Sequence, residues 1–234
     1  MSKAAAKTVV RLGREERTGH ILHAARDVFC EKGYEQAAMA EIAARIGVVE
    51  GTVYKYFPTK RELLLKVLEN WYEEMFGDYA RLLNGVSGTR ARLRFLIWRH
   101  IKTVQEYPQL CRLMFREVRS EQDYHGSGLH AKNRRYTQFL MDVIEEGVKS
   151  GEFRRDVPTT LLRDMVYGGI EHHAWGYMAS VKSRRSLDVD AVTDQIFAVL
   201  TQGVAKQNSG ELSREVQRLG EIAERMERSM AKKN

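Results

Sequence analysis

Proline is scarce in this chain, three residues in 234, so little interrupts a helix, and no run shows the sustained two-residue alternation of a half-buried strand. Cysteine is scarcer still. Cys30 and Cys111 stand far apart, with no cysteine or histidine partner at zinc spacing, and both read as free thiols of a reducing cytoplasm. Long apolar runs are missing too: the longest stretch without a charge, Gln195 to Ala205, is about half of the roughly 20 residues that cross a bilayer. No membrane partner is therefore expected. The first residues are charged throughout and lack an apolar core before a small-residue cleavage site, so 1–15 reads as a flexible basic arm and not as an export signal.

Hydrophobic residues make up 43% of the chain and charged residues 29%, the balance of a folded globular protein. Lys and Arg number 38 against 31 Asp and Glu, a net charge of +7, which points to a polyanionic partner: DNA, RNA or an anionic surface. Abundant Ala, Leu, Glu, Arg and Lys favour helix almost everywhere, and the fold class expected is all-α.

Ile21, Leu22, Ala25, Val28 and Phe29 recur at helical spacing, predicting a first helix over 16–32 that stops at Gly33. A short second helix, 39–46, carries Met39, Ile42, Ala43 and Ile46 on one face and ends at Gly47. Val48 and Val49 lead into a third, Glu50 to Tyr56, closed by Phe57-Pro58. Two short helices around a glycine turn form a helix-turn-helix pattern. Thr59 to Glu62 is a capping box that opens a long helix to about Leu83. Further helices are predicted at 89–105, 108–121, 129–149, 159–181 and 188–205. In 206–234, Leu212, Val216, Leu219, Ala223, Met226 and Met230 form a heptad seam; this extra amphipathic helix either lies on the protein's own surface or coils with another chain.

A recognition helix must offer its first turn to the duplex. Gly51 and Thr52 supply a residue without bulk beside a hydroxyl, while Tyr54, Lys55 and Tyr56 follow on a helix too short to bury them all. Their tips reach phosphates or base edges, and Lys60 adds a phosphate contact. For Tyr54 a core position and a DNA contact stay equally open; Val53 and Phe57 read as core. Arg11, Arg14 and Arg17 either reach a minor groove or form a solvated tail.

Over about 17–69 the chain closely resembles the DNA-binding domain of TetR-family transcriptional regulators. The likeness is carried by Ala24-Ala25, Phe29, Gly33-Tyr34, Ile42-Ala43, Gly47-Val48, the run Gly51 to Phe57, and Lys60. It implies DNA contacts at Thr52, Tyr54, Tyr56 and Lys60. One departure matters: where the family has Ser or Thr capping the second and third helices, this chain has Ala38 and Val49. The likeness implies a helix-turn-helix domain at 16–60 and a helical ligand-binding and dimerisation domain at 61–205.

In that second region, Glu146 to Phe153 and Tyr167 to Glu171 resemble regulators of the family that respond to fatty acyl-CoA thioesters. Such a site needs an apolar tunnel with cations at its mouth. Trp98, Ile101, Phe115, Phe139, Val143, Met165 and Trp175 are the tunnel candidates, each also readable as ordinary core; Arg112, Arg116, Arg119, Arg134 and Arg135 are the mouth candidates. The family's dimer interface, formed by the last two helices of the domain, implies contacts at Gly168, Gly169, His172, Ile196 and Leu200. Two recognition helices about 34 Å apart then read successive major-groove turns of a palindrome.

The function implied is a homodimeric repressor released from operator DNA by a hydrophobic effector such as an acyl-CoA. A multidrug-type sensor and a helical scaffold protein are the alternatives. No enzyme, metal or cofactor is expected: His172 and His173 diverge by roughly 100° on a helix, His20 and His23 lack a third ligand, and no phosphate loop or nucleophile motif is present.

Overall fold

A computed structural model of the chain describes residues 13–179 and 186–204, together with 217, 218, 220 and 221. Most of the heptad segment and Arg11 fall outside these residues. Among the described residues every regular element is helical: α1 (Arg14–Gln36), α2 (Met39–Arg45), α3 (Glu50–Tyr56), α4 (Lys60–Asn84), α5 (Thr89–Glu106), α6 (Pro108–Leu113), α7 (Gly128–Ser150), α8 (Thr159–Ala179) and α9 (Val189–Val204). No helix of the described residues is long and apolar enough to cross a membrane.

The first three helices share one small core. Ile21, Val28 and Phe29 of α1, Ile42 of α2 and Val53 of α3 are all fully buried. Here α1 runs further than its periodicity predicts: Gly33 breaks it at φ 77°, and one more turn follows to Gln36. Thr59 caps α4 as expected, its hydroxyl accepting from the Glu62 amide at 3.0 Å, and α4 packs against α1 before continuing into the larger helical body. Ala38 and Val49 precede α2 and α3 with no side-chain cap, as the sequence anticipates.

The single helix predicted over 108–121 is in fact two pieces. Pro108–Leu113 is α-helical, whereas Met114–Val118 forms a π-turn, in which the Arg119 amide donates to the Met114 carbonyl at 3.0 Å. A π-turn holds one residue more than an α-turn, so the side chains beyond it face differently from those of a continued helix. A short 3₁₀ turn at Gln122–Tyr124 then leads to Ser127, whose hydroxyl caps α7 by accepting from the His130 amide at 3.1 Å.

The end of α7 shows why it reads Glu146 to Phe153. Gly151 closes the helix at φ 81°, and the chain folds back so that the buried Phe153 ring lies on Gly147; a Cβ there would stand 2.3 Å from the ring. Finally, α9 packs along α5, with the Trp98 indole donating to Asp190 at 3.0 Å and Arg94 paired with Asp194 at 2.6 Å.

Candidate DNA-binding face and effector cavity

The turn between α2 and α3 is set by Gly47 at φ 67°, where the left-handed backbone favours glycine. With Val53 and Phe57 anchored inward, the opposite side of α3 faces out: Gly51 and Lys55 are exposed, Tyr54 is 44% exposed, and Thr52 and Tyr56 are half-buried. Tyr54 is therefore not a core residue. A Cβ on Gly51 would meet nothing within 4 Å, so the start of α3 is open to a large partner. The Arg14 guanidinium lies 5.8 Å from the Tyr56 ring centroid, which brings the start of α1 beside the same face.

Lys60 is placed differently from its expected phosphate contact. Its ammonium donates to the carbonyls of Tyr34, Glu35 and Ala37 at 2.8, 3.2 and 3.1 Å and lies 4.6 Å from the Tyr34 ring centroid. These carbonyls follow the break at Gly33, where no further helical turn supplies donors. A cation at a helix C-terminus is favourable. Lys60 thus acts as the cap of α1.

Behind this head lies a cavity of about 610 Å³ enclosed by α4, α5, α6 with its π-turn, α7 and α8, a size typical of small-molecule sites. Apolar and aromatic groups line it, among them Trp71, Met75, Met114 and Phe115. Polar tips intrude: Tyr72, His100, Tyr124, Asn133, Tyr136 and Tyr167. Arg119, Arg134, Arg163, His125 and His130 also line it, together with Asp164 and Glu171. Arg119 pairs with Glu171 at 2.6 Å and Arg163 with Asp164 at 2.8 Å, leaving Arg134 without a carboxylate within 4 Å among the described residues.

The inner wall carries a hydrogen-bonded ladder. The Tyr79 and Tyr136 hydroxyls are 2.6 Å apart, and the Tyr136 hydroxyl is 2.8 Å from His100 Nδ1. Burial holds His100 neutral, with its pKa lowered to about 3, and pushes Tyr79 up to about 12 and Tyr136 well above its ordinary value. A second link runs from the Tyr72 hydroxyl to Asn133 at 3.0 Å and from the Asn133 amide to Tyr124 at 2.9 Å. Residue pattern alone does not single these side chains out; their only signal is a polar tip within an otherwise apolar stripe.

Of the tunnel candidates, Phe115 lines the cavity and the others do not. Trp98 faces α9 through its bond to Asp190. Ile101 and Val143 are buried in the core, and Phe139 packs against Tyr79 with ring centroids 5.9 Å apart. Trp175 is exposed, and Met165 lies on the outer surface of α8. Among the mouth candidates, Arg119 and Arg134 line the cavity. Arg112 instead sits by the kink at Gly33, Arg135 stacks 4.3 Å over Phe76, and Arg116 is exposed 3.8 Å from Glu117. Helical periodicity identifies which residues turn inward but not which neighbouring helix they meet, hence these misplacements.

Arg61 connects head and cavity. Its guanidinium donates to Asp123 Oδ2 and Oδ1 at 2.8 and 2.6 Å and to the Glu117 carbonyl at 2.5 Å, tying the first turn of α4 to the π-turn and the loop after it.

The outer surface of α8 and α9 carries an apolar groove. Met165 is 56% and Val199 70% exposed, and with Leu162, Ile196 and Leu200 they line a groove of about 460 Å³. Gly168, Gly169 and His172 are exposed on α8. A Cβ on either glycine would meet nothing within 4 Å, so no close approach among the described residues requires them.

Comparison with known proteins agrees with this architecture. The family model described as bacterial regulatory proteins, tetR family, matches residues 21–67, and the one described as tetracyclin repressor-like, C-terminal domain, matches residues 87–180. The HTH-type transcriptional repressor KstR2 of Rhodococcus jostii is 23% identical over 198 residues, covering 84% of this chain and 95% of the relative. The fatty acid metabolism regulator protein of Bacillus subtilis is 23% identical over 184 residues, covering 79% and 93%. The crystal structure of the transcriptional regulator FadR from Bacillus subtilis in complex with stearoyl-CoA superposes with a TM-score of 0.69 at 22% identity, over 79% of this chain and 98% of that one. That likeness carries the fold.

Proposed function

The chain belongs to the TetR family of bacterial regulatory proteins, and we propose that it is a homodimeric repressor released from a palindromic operator by an amphipathic acyl thioester held in the cavity. The observation that carries this reading is the tie, through Arg61, between the segment that contributes Phe115, Arg119 and Tyr124 to the cavity wall and the helix that supports the DNA-facing head. Gly51, Thr52, Tyr54, Lys55 and Tyr56 supply the DNA face. The outer side of α8 and α9 supplies the dimer contact, with Gly168, Gly169 and His172 exposed on it, Ile196 half-buried and Leu200 buried at the floor of the groove.

A ligand shifts an equilibrium only by binding one state better than another. Here a thioester touching Phe115 and Arg119 bears on the same segment that Arg61 grips. A shift of that segment moves the start of α4, and α3 with it, so the two α3 helices of a dimer lose the spacing of successive grooves. Arg119, Arg134 and Arg163 at the cavity suit the phosphates of a nucleotide head. The names of the fatty acid regulator and of the structure with stearoyl-CoA support the choice of thioester, and the name of the KstR2 relative supports repression.

The test begins with DNA selected by the protein from a random pool. Tyr54→Ala with Lys55→Ala should weaken binding to that DNA at least about 30-fold, since base and phosphate contacts contribute about 1–3 kcal/mol each, while circular dichroism and dimer mass stay unchanged. Stearoyl-CoA or a related thioester should dissociate the wild-type complex in an anisotropy titration. Unchanged affinity in the double variant would remove α3 from the mechanism; indifference to every thioester would remove the effector.

A further inference from the structure

A tunnel built for a saturated acyl chain needs no hydrogen-bonding groups along its depth, yet this cavity has them. Trp71 and His100 both line it and are 4% and 7% exposed. Among the described residues neither Trp71 Nε1 nor His100 Nε2 has a hydrogen-bond partner. They belong to one aromatic box: Trp71 packs on Tyr72 at 5.6 Å, Tyr72 on Tyr136 at 5.8 Å, and His100 on Tyr136 and Tyr167 at 5.8 and 4.7 Å between centroids.

The protons of this box can be followed atom by atom. An indole N–H only donates. The ladder Tyr79, Tyr136, His100 ends at Nε2 of the imidazole. If Nδ1 accepts from the Tyr136 hydroxyl, Nε2 carries the proton and is a second donor; if Nδ1 donates, Nε2 is an acceptor. A hydroxyl group answers either nitrogen in both cases, because it accepts from an indole N–H and can donate to or accept from an imidazole nitrogen. A ketone answers the first. A methylene chain answers neither and leaves two buried polar groups unsatisfied.

We infer that the effector's apolar body carries one or more oxygens, as hydroxyl or ketone, which Trp71 and His100 read at the inner wall of the cavity. This rests on the cavity being the effector site. The class of ligand is then an oxygenated apolar acyl thioester, its anionic head at the arginines and its oxygen in the aromatic box. Trp71 and His100 are the residues that set specificity, and Tyr136 orients His100.

Equilibrium titration of the full-length protein tests this with stearoyl-CoA and with hydroxy- and oxo-octadecanoyl-CoA bearing the oxygen at carbon 6, 10 or 14. At least one oxygenated thioester should bind tenfold or more tightly than stearoyl-CoA. Trp71→Phe, which keeps a ring and lacks the donor, should erase that preference, so that on this variant the oxygenated thioester and stearoyl-CoA bind with affinities within about twofold of each other. His100→Asn, which keeps a polar atom toward Tyr136 and lacks Nε2, should do the same if the tryptophan variant fails to fold. Release of DNA by stearoyl-CoA as readily as by every oxygenated thioester would overturn the inference and leave the release mechanism standing. Failure of all thioesters to bind would overturn both. A crystal structure of the complex with water, not a ligand oxygen, on Trp71 Nε1 and His100 Nε2 would also overturn it.

Discussion

His100 is a side chain whose charge depends on the fold. Its pKa falls from 6.5 to about 3 because burial disfavours the imidazolium, with the Arg119 charge acting in the same direction. Between those values the unfolded chain binds a proton that the folded chain refuses. The contribution of this group to stability is thus complete above about pH 6.5 and is lost progressively as pH falls toward 3. Urea melts of the wild type from pH 7.5 to 4.5 should show stability falling on acidification. His100→Asn should remove up to about 1.4 kcal/mol per pH unit from that slope; an unaltered slope would mean that His100 titrates freely. At this scale the sequence was a partial guide. Val53 and Phe57 were recognisable as core, since they lie on the inward side of a short helix. Lys60 was not recognisable as a cap, because its three carbonyl partners lie 23 to 26 residues earlier in the chain and are brought to it by the helix break at Gly33.

At the level of elements, the close of α7 depends on one missing side chain. Gly147 admits the Phe153 ring, and the Phe153 amide in turn donates to the Gly147 carbonyl at 2.9 Å. Gly147→Ala should destabilise the protein by about 1–3 kcal/mol through overpacking, measured as a lower urea midpoint with unchanged slope. Its effect should contrast with Gly168→Ala, where a Cβ enters open space and helix propensity alone favours alanine by roughly 1 kcal/mol in the isolated subunit. Helix positions were largely legible, because amphipathic spacing, glycine stops and the Thr59 cap are local signals. The π-turn was not. Its hydrogen bonds answer to packing around the cavity, and nothing in the residue pattern from Met114 to Val118 distinguishes it from α-helix.

For the whole molecule, the decisive feature is an apolar groove with no counterpart among the described residues. Such patches on soluble proteins mark interfaces. Met165→Lys combined with Val199→Lys should yield monomers in sedimentation equilibrium at micromolar concentration, with helix content preserved. Operator affinity should drop about 100-fold or more as the second half-site stops contributing. A dimer that survives both charges would require another interface. The architecture was legible at this scale because each helix buries a stripe that only neighbours can cover. Periodicity does not distinguish a stripe covered within the subunit from one covered by a partner, and Met165 was misplaced for that reason.

The surplus residue in the Met114–Val118 turn has an evolutionary consequence. Gain or loss of one codon there rotates Arg119 by roughly 100° relative to α6 and displaces the Glu117 carbonyl that Arg61 grips, so it resets the cavity lining and the seat of α4 together. A lineage that alters this one position changes what it senses and how it sits on DNA in a single step.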